Sequence, residues 1–167
     1  MIRSLILLFF ASMVTAGATG QDRYLPVDTA VVTKHSTTVN GEKFTYTATT
    51  GMQPVYIDDK VVASLYYTYY TRDITGDRDK RPVVFSFNGG PGAASVWMHM
   101  AYTGPMIVNI DDEGYPVQPY GVRNNPYSIL DVADIVFVNP VNTAYSRMVR
   151  DKEGKLPERE NFFGINA

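Results

Sequence analysis

Two short turn signals, Asn40-Gly41 and Asp58-Asp59, interrupt a run of β-branched and aromatic residues from Thr37 to Thr71. That run commits the front of the chain to antiparallel sheet. Thr38-Val39, Asn40-Gly41 and Lys43–Thr49 spell a β-hairpin closed by a type I′ turn. In its second arm Phe44, Tyr46 and Ala48 alternate with Thr45, Thr47 and Thr49, so one face is more apolar than the other. Val55–Ile57 and Val61–Thr71 flank Asp58-Asp59 as a second hairpin. Before them, residues 19–36 show no clear period and are expected to form a lead-in arm.

After Asp73–Lys80, a polar connection, the pattern changes. Pro82–Phe87 is a short apolar run without strict alternation, which predicts a buried, parallel strand. Asn88-Gly89-Gly90-Pro91-Gly92 follows. Ala93–Tyr102 has helical composition and should end at Gly104-Pro105. Met106–Ile110 and Tyr115–Gln118 flank Asp111-Asp112-Glu113-Gly114 as a third hairpin, and Asp134–Val138 is a second buried strand. Hairpins followed by strand, loop, helix and strand predict an α/β fold. Opening antiparallel strands would lead into a mostly parallel mixed sheet that residues 37–167 leave incomplete.

Residues 1–18 read as something other than fold. Arg3 supplies a positive start, Leu5–Ala11 an apolar run, and Val14-Thr15-Ala16 and Ala16-Gly17-Ala18 small residues. This is the three-part layout of a secretory signal peptide, with cleavage expected after Ala16 or Ala18. A membrane-spanning helix needs roughly 20 apolar residues, and this run is broken at Ser12. The expected location is therefore secreted or periplasmic, with no stable membrane span after cleavage. The net charge of −2 and the lack of a basic run exclude an electrostatic case for nucleic acid. The absence of Cys excludes disulfides and thiolate chemistry within these residues, and with only two histidines no metal site is expected.

The glycine-rich segment carries the chemistry. Glycines between a buried strand and a helix let main-chain N–H groups approach a bound atom with no Cβ in the way. The helix N-terminus adds partial positive charge. Together these suit an oxyanion developing during acyl transfer. A phosphate loop fits less well, because no Lys-Ser or Lys-Thr follows the glycines and the Gly-x-Gly-x-x-Gly order is absent. A glycine turn that only reverses the chain remains the plain structural alternative.

The neighbours narrow the choice. Phe87–Ser95 followed by Gly104-Pro105, then Asn125-Pro126-Tyr127-Ser128, then Asp134–Ser146, together resemble the serine carboxypeptidase family in order and spacing, over about residues 80–167. The resemblance implies an α/β-hydrolase fold and hydrolysis of C-terminal residues from peptides, with a free-C-terminus peptide as substrate and no cofactor. It implies that the Gly90 N–H helps form the oxyanion hole, and that Asn88 and Gly89 help hold the substrate carboxylate. Tyr145 would border the cleft.

Several positions depart from the family pattern. Ala93-Ala94-Ser95 stands where many relatives have Cys-Ser-Ser. Tyr102 stands where some have a carboxylate-binding Glu, Asn139 where Asp is frequent, and Ala144 where Gly is usual. No Gly-x-Ser-x-Gly elbow occurs in the chain. The nucleophile, Asp and His are therefore expected downstream, there is no catalytic residue here, and the 167 residues alone should be inactive. Ser95 is expected as a helix-start residue, Ser146 as a loop residue and His99 as a structural histidine. The alternatives are another secreted α/β-hydrolase (a proline iminopeptidase, esterase or acyltransferase) or a non-catalytic secreted remnant.

Overall fold

The computed structural model describes residues 28–88 and 92–158. The signal-peptide segment, Gly89 and Gly90 lie outside them. Three long strands open the fold: β1 (Ala30–Val39), β2 (Glu42–Ile57) and β3 (Lys60–Arg72). They pair antiparallel in sequence order. Both expected turns are present. Asn40 and Gly41 adopt positive φ, as do Asp58 and Asp59, the left-handed geometry that a tight turn between twisted strands requires.

The lead-in arm needs correction. Strand β1 starts at Ala30, so residues 30–36 are sheet rather than arm. Val31 and Val32 pair with Thr50 and Thr49, yet both side chains are largely exposed. Pairing with β2 imposes the strand, and no apolar periodicity announces it. Strand β2 is likewise one continuous element and not two. Pro54 is tolerated because β1 ends its pairing at Gly51, so beyond that point one side of β2 has no ladder to break.

Beyond β3 come a 3₁₀ turn (Arg78–Lys80) and strand β4 (Val83–Ser86). A short π-helix (Met98–Thr103), strands β5 (Met106–Val108) and β6 (Val122–Asn124), and a 3₁₀ turn (Ile129–Asp131) follow. Strands β7 (Asp134–Val138) and β8 (Arg147–Met148) complete the described elements. The main sheet has the order β1-β2-β3-β7-β4, with β8 on the far stretch of β3. Among the described residues this sheet is mixed but mostly antiparallel. Only β4 and β7 run parallel, so the described strands are the antiparallel opening of the sheet and a single parallel pair.

Strand β4 is parallel as expected but not buried. It is the outermost strand of the described sheet, and Val83, Val84 and Phe85 are exposed while Ser86 is buried. The third hairpin also differs. Its tip at Asp111–Gly114 closes as expected, with Asp111 N–H donating to the Tyr115 carbonyl. Its main ladder, however, joins β5 to β6 at residues 122–124.

The core lies on one sheet face. Val39, Phe44, Tyr46, Ile135 and Phe137 from the sheet pack with Leu130, and Met98 and Ile129 close the cluster from outside. Below it Arg81 and Arg72 serve one corner. Arg81 Nε bonds the buried Asp134 carboxylate at 2.6 Å, and the Arg72 backbone N–H bonds the same oxygen at 3.1 Å. The Arg72 guanidinium also lies 4.2 Å above the Phe44 ring. A buried carboxylate without such partners would be strongly destabilising.

Candidate active site

The glycine loop joins the C-terminal end of β4 to the helix. Both its flanks are held. Ser95 is 2% exposed. Its Oγ accepts the Asn88 backbone N–H at 3.3 Å and donates to the Val138 carbonyl. The Ser95 N–H donates to Asn139 Oδ1 at 2.9 Å, and the Ser95 carbonyl receives the His99 N–H. Ser95 thus starts the helix, as its sequence position implies, and ties the start to the end of β7. The Met98 N–H reaches Asn88 Oδ1 at 3.4 Å, a long bond that turns the Asn88 amide toward the helix. Gly92 has φ of +83°, the left-handed region that a side chain disfavours, with open space around it.

The turn after β7 joins the same point. Ser146 is fully buried; its Oγ accepts the Tyr66 N–H at 2.8 Å and donates to the Asn139 carbonyl at 2.7 Å. Tyr145 beside it is exposed, its ring 5.2 Å from that of Tyr66. Hydrogen bonds therefore gather Asn88, Ser95, Asn139 and the Tyr145–Ser146 turn at the C-terminal end of the parallel pair. In open α/β sheets this is where ligands bind. Gly89 and Gly90 lie outside the described residues. Ser95 and Ser146 are both buried, and each hydroxyl donates to one main-chain carbonyl and accepts one main-chain N–H.

His99 is structural too. Its ring stacks on Phe137 at 4.4 Å, and Nε2 lies 2.7 Å from the Tyr70 hydroxyl. Burial pulls its pKa down to about 4, so the ring is neutral near pH 7. Burial holds the Tyr70 hydroxyl well above its usual range, so it stays protonated and shares one hydrogen bond with the neutral imidazole.

The block Asn125–Ser128 has a role that sequence reasoning did not assign. Asn125, 1% exposed, donates through Nδ2 to the carbonyls of Tyr102 and Gly104 at 2.7 and 2.8 Å, and its Oδ1 receives the Tyr127 N–H at 3.0 Å. Ser128 Oγ donates to the Thr103 carbonyl at 2.8 Å. Together they satisfy three consecutive carbonyls at the end of the helix, groups that a helix terminus leaves without partners. The Tyr102 side chain itself is exposed. On the outer side of the helix, Val96, Trp97 and Met100 line an open cleft of about 310 Å³ with Val108, Ile110 and Tyr120.

The comparisons with known proteins meet this arrangement directly. The model of the serine carboxypeptidase family matches residues 43–161. The chain belongs to that family. The match begins in β2, well before the glycine loop, so the β2–β3 hairpin lies within the family pattern although no motif in it is distinctive. Carboxypeptidase Y homolog A of Fusarium vanettenii is 32% identical over 93 residues, which cover 54% of this chain and 16% of that protein. A solved prohormone-processing carboxypeptidase from Saccharomyces cerevisiae is similar at 23% identity and a TM-score of 0.47, over 68% of this chain and 23% of that one. The matched regions are thus less than a quarter of each relative's length. Among the described residues no helix is long and apolar enough to cross a membrane.

Proposed function

We propose that the whole protein is an exported serine-type carboxypeptidase, and that these residues supply its oxyanion loop and part of its carboxylate site. Family membership supports the reaction class. The observation that carries the reading at residue level is that the two described flanks of the glycine segment, Asn88 and Ser95, are bonded to each other and to the C-terminal end of β7 at Val138 and Asn139. A loop held at both flanks can present backbone N–H groups in advance of the charge that develops, which is what oxyanion stabilisation needs.

In this reading a serine from beyond these residues attacks the carbonyl of the substrate's last peptide bond. A histidine takes the serine's proton, and an aspartate orients the histidine. The Gly90 N–H donates to the oxyanion. Asn88 and Gly89 hold the terminal carboxylate, and Tyr145 borders the cleft. With Asn88 Oδ1 engaged by the Met98 N–H, the Nδ2 donor is the end suited to a carboxylate. Tyr102 brings no second carboxylic acid to that site. Export rests on Arg3 and the Leu5–Ala11 run; an exported product still beginning at Met1, by mass spectrometry, would count against it.

Gly90→Val in the whole protein should lower kcat by about 10²–10³ with the fold intact by circular dichroism, the usual cost of one lost oxyanion donor. Asn88→Ala should instead raise KM more than it lowers kcat and narrow the preference for free over amidated C-termini, because carboxylate binding is shared by ground and transition states. Equal kcat for a folded Gly90→Val variant and the parent would remove the oxyanion assignment.

A further inference from the structure

A loop of glycines has the largest backbone freedom of any sequence, so its N–H groups stay aimed only if something outside the loop aims them. The two described flanks show what does. Asn88 and Ser95, seven residues apart, are joined by the bond from the Asn88 N–H to Ser95 Oγ. Ser95 is in turn fixed to β7 twice, by its Oγ to the Val138 carbonyl and by its N–H to Asn139 Oδ1. Asn139 does not float either. Its N–H donates to the Tyr66 carbonyl at 3.0 Å, and its carbonyl receives the Ser146 hydroxyl. That hydroxyl also accepts the Tyr66 N–H. Strand β3 thus holds Asn139, Asn139 holds Ser95, and Ser95 holds the mouth of the loop.

We propose that Asn139 is a positioning residue for the oxyanion loop, acting through Ser95 and without touching substrate. The proposal rests on the oxyanion reading above. Its active part is one oxygen atom: a backbone N–H can bond only to an acceptor, so the Oδ1 end of the amide faces Ser95 and an aspartate carboxylate can take its place. Removing the acceptor frees the Ser95 N–H and lets the helix start drift relative to β7. The loop then presents its donors off target, and a misplacement of about 1 Å can cost about 10² in rate.

The test uses the whole protein with Asn139→Ala, Asn139→Asp and, as a second route to the same link, Ser95→Ala. Ser128→Ala, which breaks a buried bond at the far end of the helix, serves as the stability control. Asn139→Ala and Ser95→Ala should lower kcat by about 10-fold to 10²-fold with KM within about threefold, while Asn139→Asp stays close to the parent. Amide hydrogen exchange at Ser95 should quicken in Asn139→Ala and not in Asn139→Asp. Ser128→Ala should lower Tm with kcat retained.

Unchanged exchange at Ser95 in Asn139→Ala would overturn the proposal. So would an Asn139→Asp variant as slow as Asn139→Ala with its Ser95 amide protected. If Gly90→Val lowers kcat and Asn139→Ala does not, the positioning claim falls while the oxyanion reading stands. If neither lowers kcat, both fall.

Discussion

His99 shows how a single buried side chain sets a pH response. Its ring lies between Phe137 and the Tyr70 hydroxyl, and desolvation lowers its pKa from 6.5 to about 4. The unfolded chain therefore binds a proton between those values when the folded chain does not. The contribution is fully present above about pH 6.5 and is lost as the pH falls toward 4, an upper bound of about 3 kcal/mol. His99→Gln keeps a hydrogen-bonding partner for Tyr70 and does not titrate. Thermal unfolding between pH 7 and pH 4 should show a shallower fall in Tm for this variant than for the parent. Parallel curves would mean that other groups carry the acid sensitivity. Ala144 makes a related point. Its φ is +44°, in the left-handed region where a glycine would sit without strain.

At the level of elements, the helix after the glycine loop owes its end to Asn125. A Cβ on Gly104 would sit 2.2 Å from the His99 carbonyl oxygen, so the chain leaves the helix at a residue with no side chain. The carbonyls exposed by that exit need donors, and Asn125 provides two from one amide. Asn125→Asp keeps the shape but sets an oxygen against both carbonyls. Asn125→Ala leaves them without partners in a buried place. Each variant should lose about 2–4 kcal/mol in urea unfolding, with Asp at least as damaging as Ala. A loss below about 0.5 kcal/mol for both would show that water replaces the side chain there. The hairpins behave more simply, because their turns and alternation act locally and pairing follows.

For the whole molecule, the prediction is catalytic silence of residues 1–167 by themselves. Ser95 and Ser146 are buried and engaged, and His99 is packed beside Tyr70. An unactivated serine hydroxyl is a weak nucleophile. Purified 1–167 should release no C-terminal residue from free or blocked peptides. Turnover that vanishes in Ser95→Ala or Ser146→Ala would refute this. Part of the fold and the candidate site was legible because its signals act locally. Asn40-Gly41 dictates a turn, a glycine run leaves room for backbone donors, and the motif blocks keep their order along the chain. The start of β1 at Ala30 was not legible, since only pairing with β2 makes residues 30–36 a strand. Nor was the exposure of β4, which depends on how many strands lie beyond it. Neither Asn125 as a clamp for the helix end nor Asn139 as the anchor of Ser95 could be read from spacing. Their partners are 21 and 44 residues away in the chain, and an amide shows no preference for a distant carbonyl or N–H until packing brings the two together.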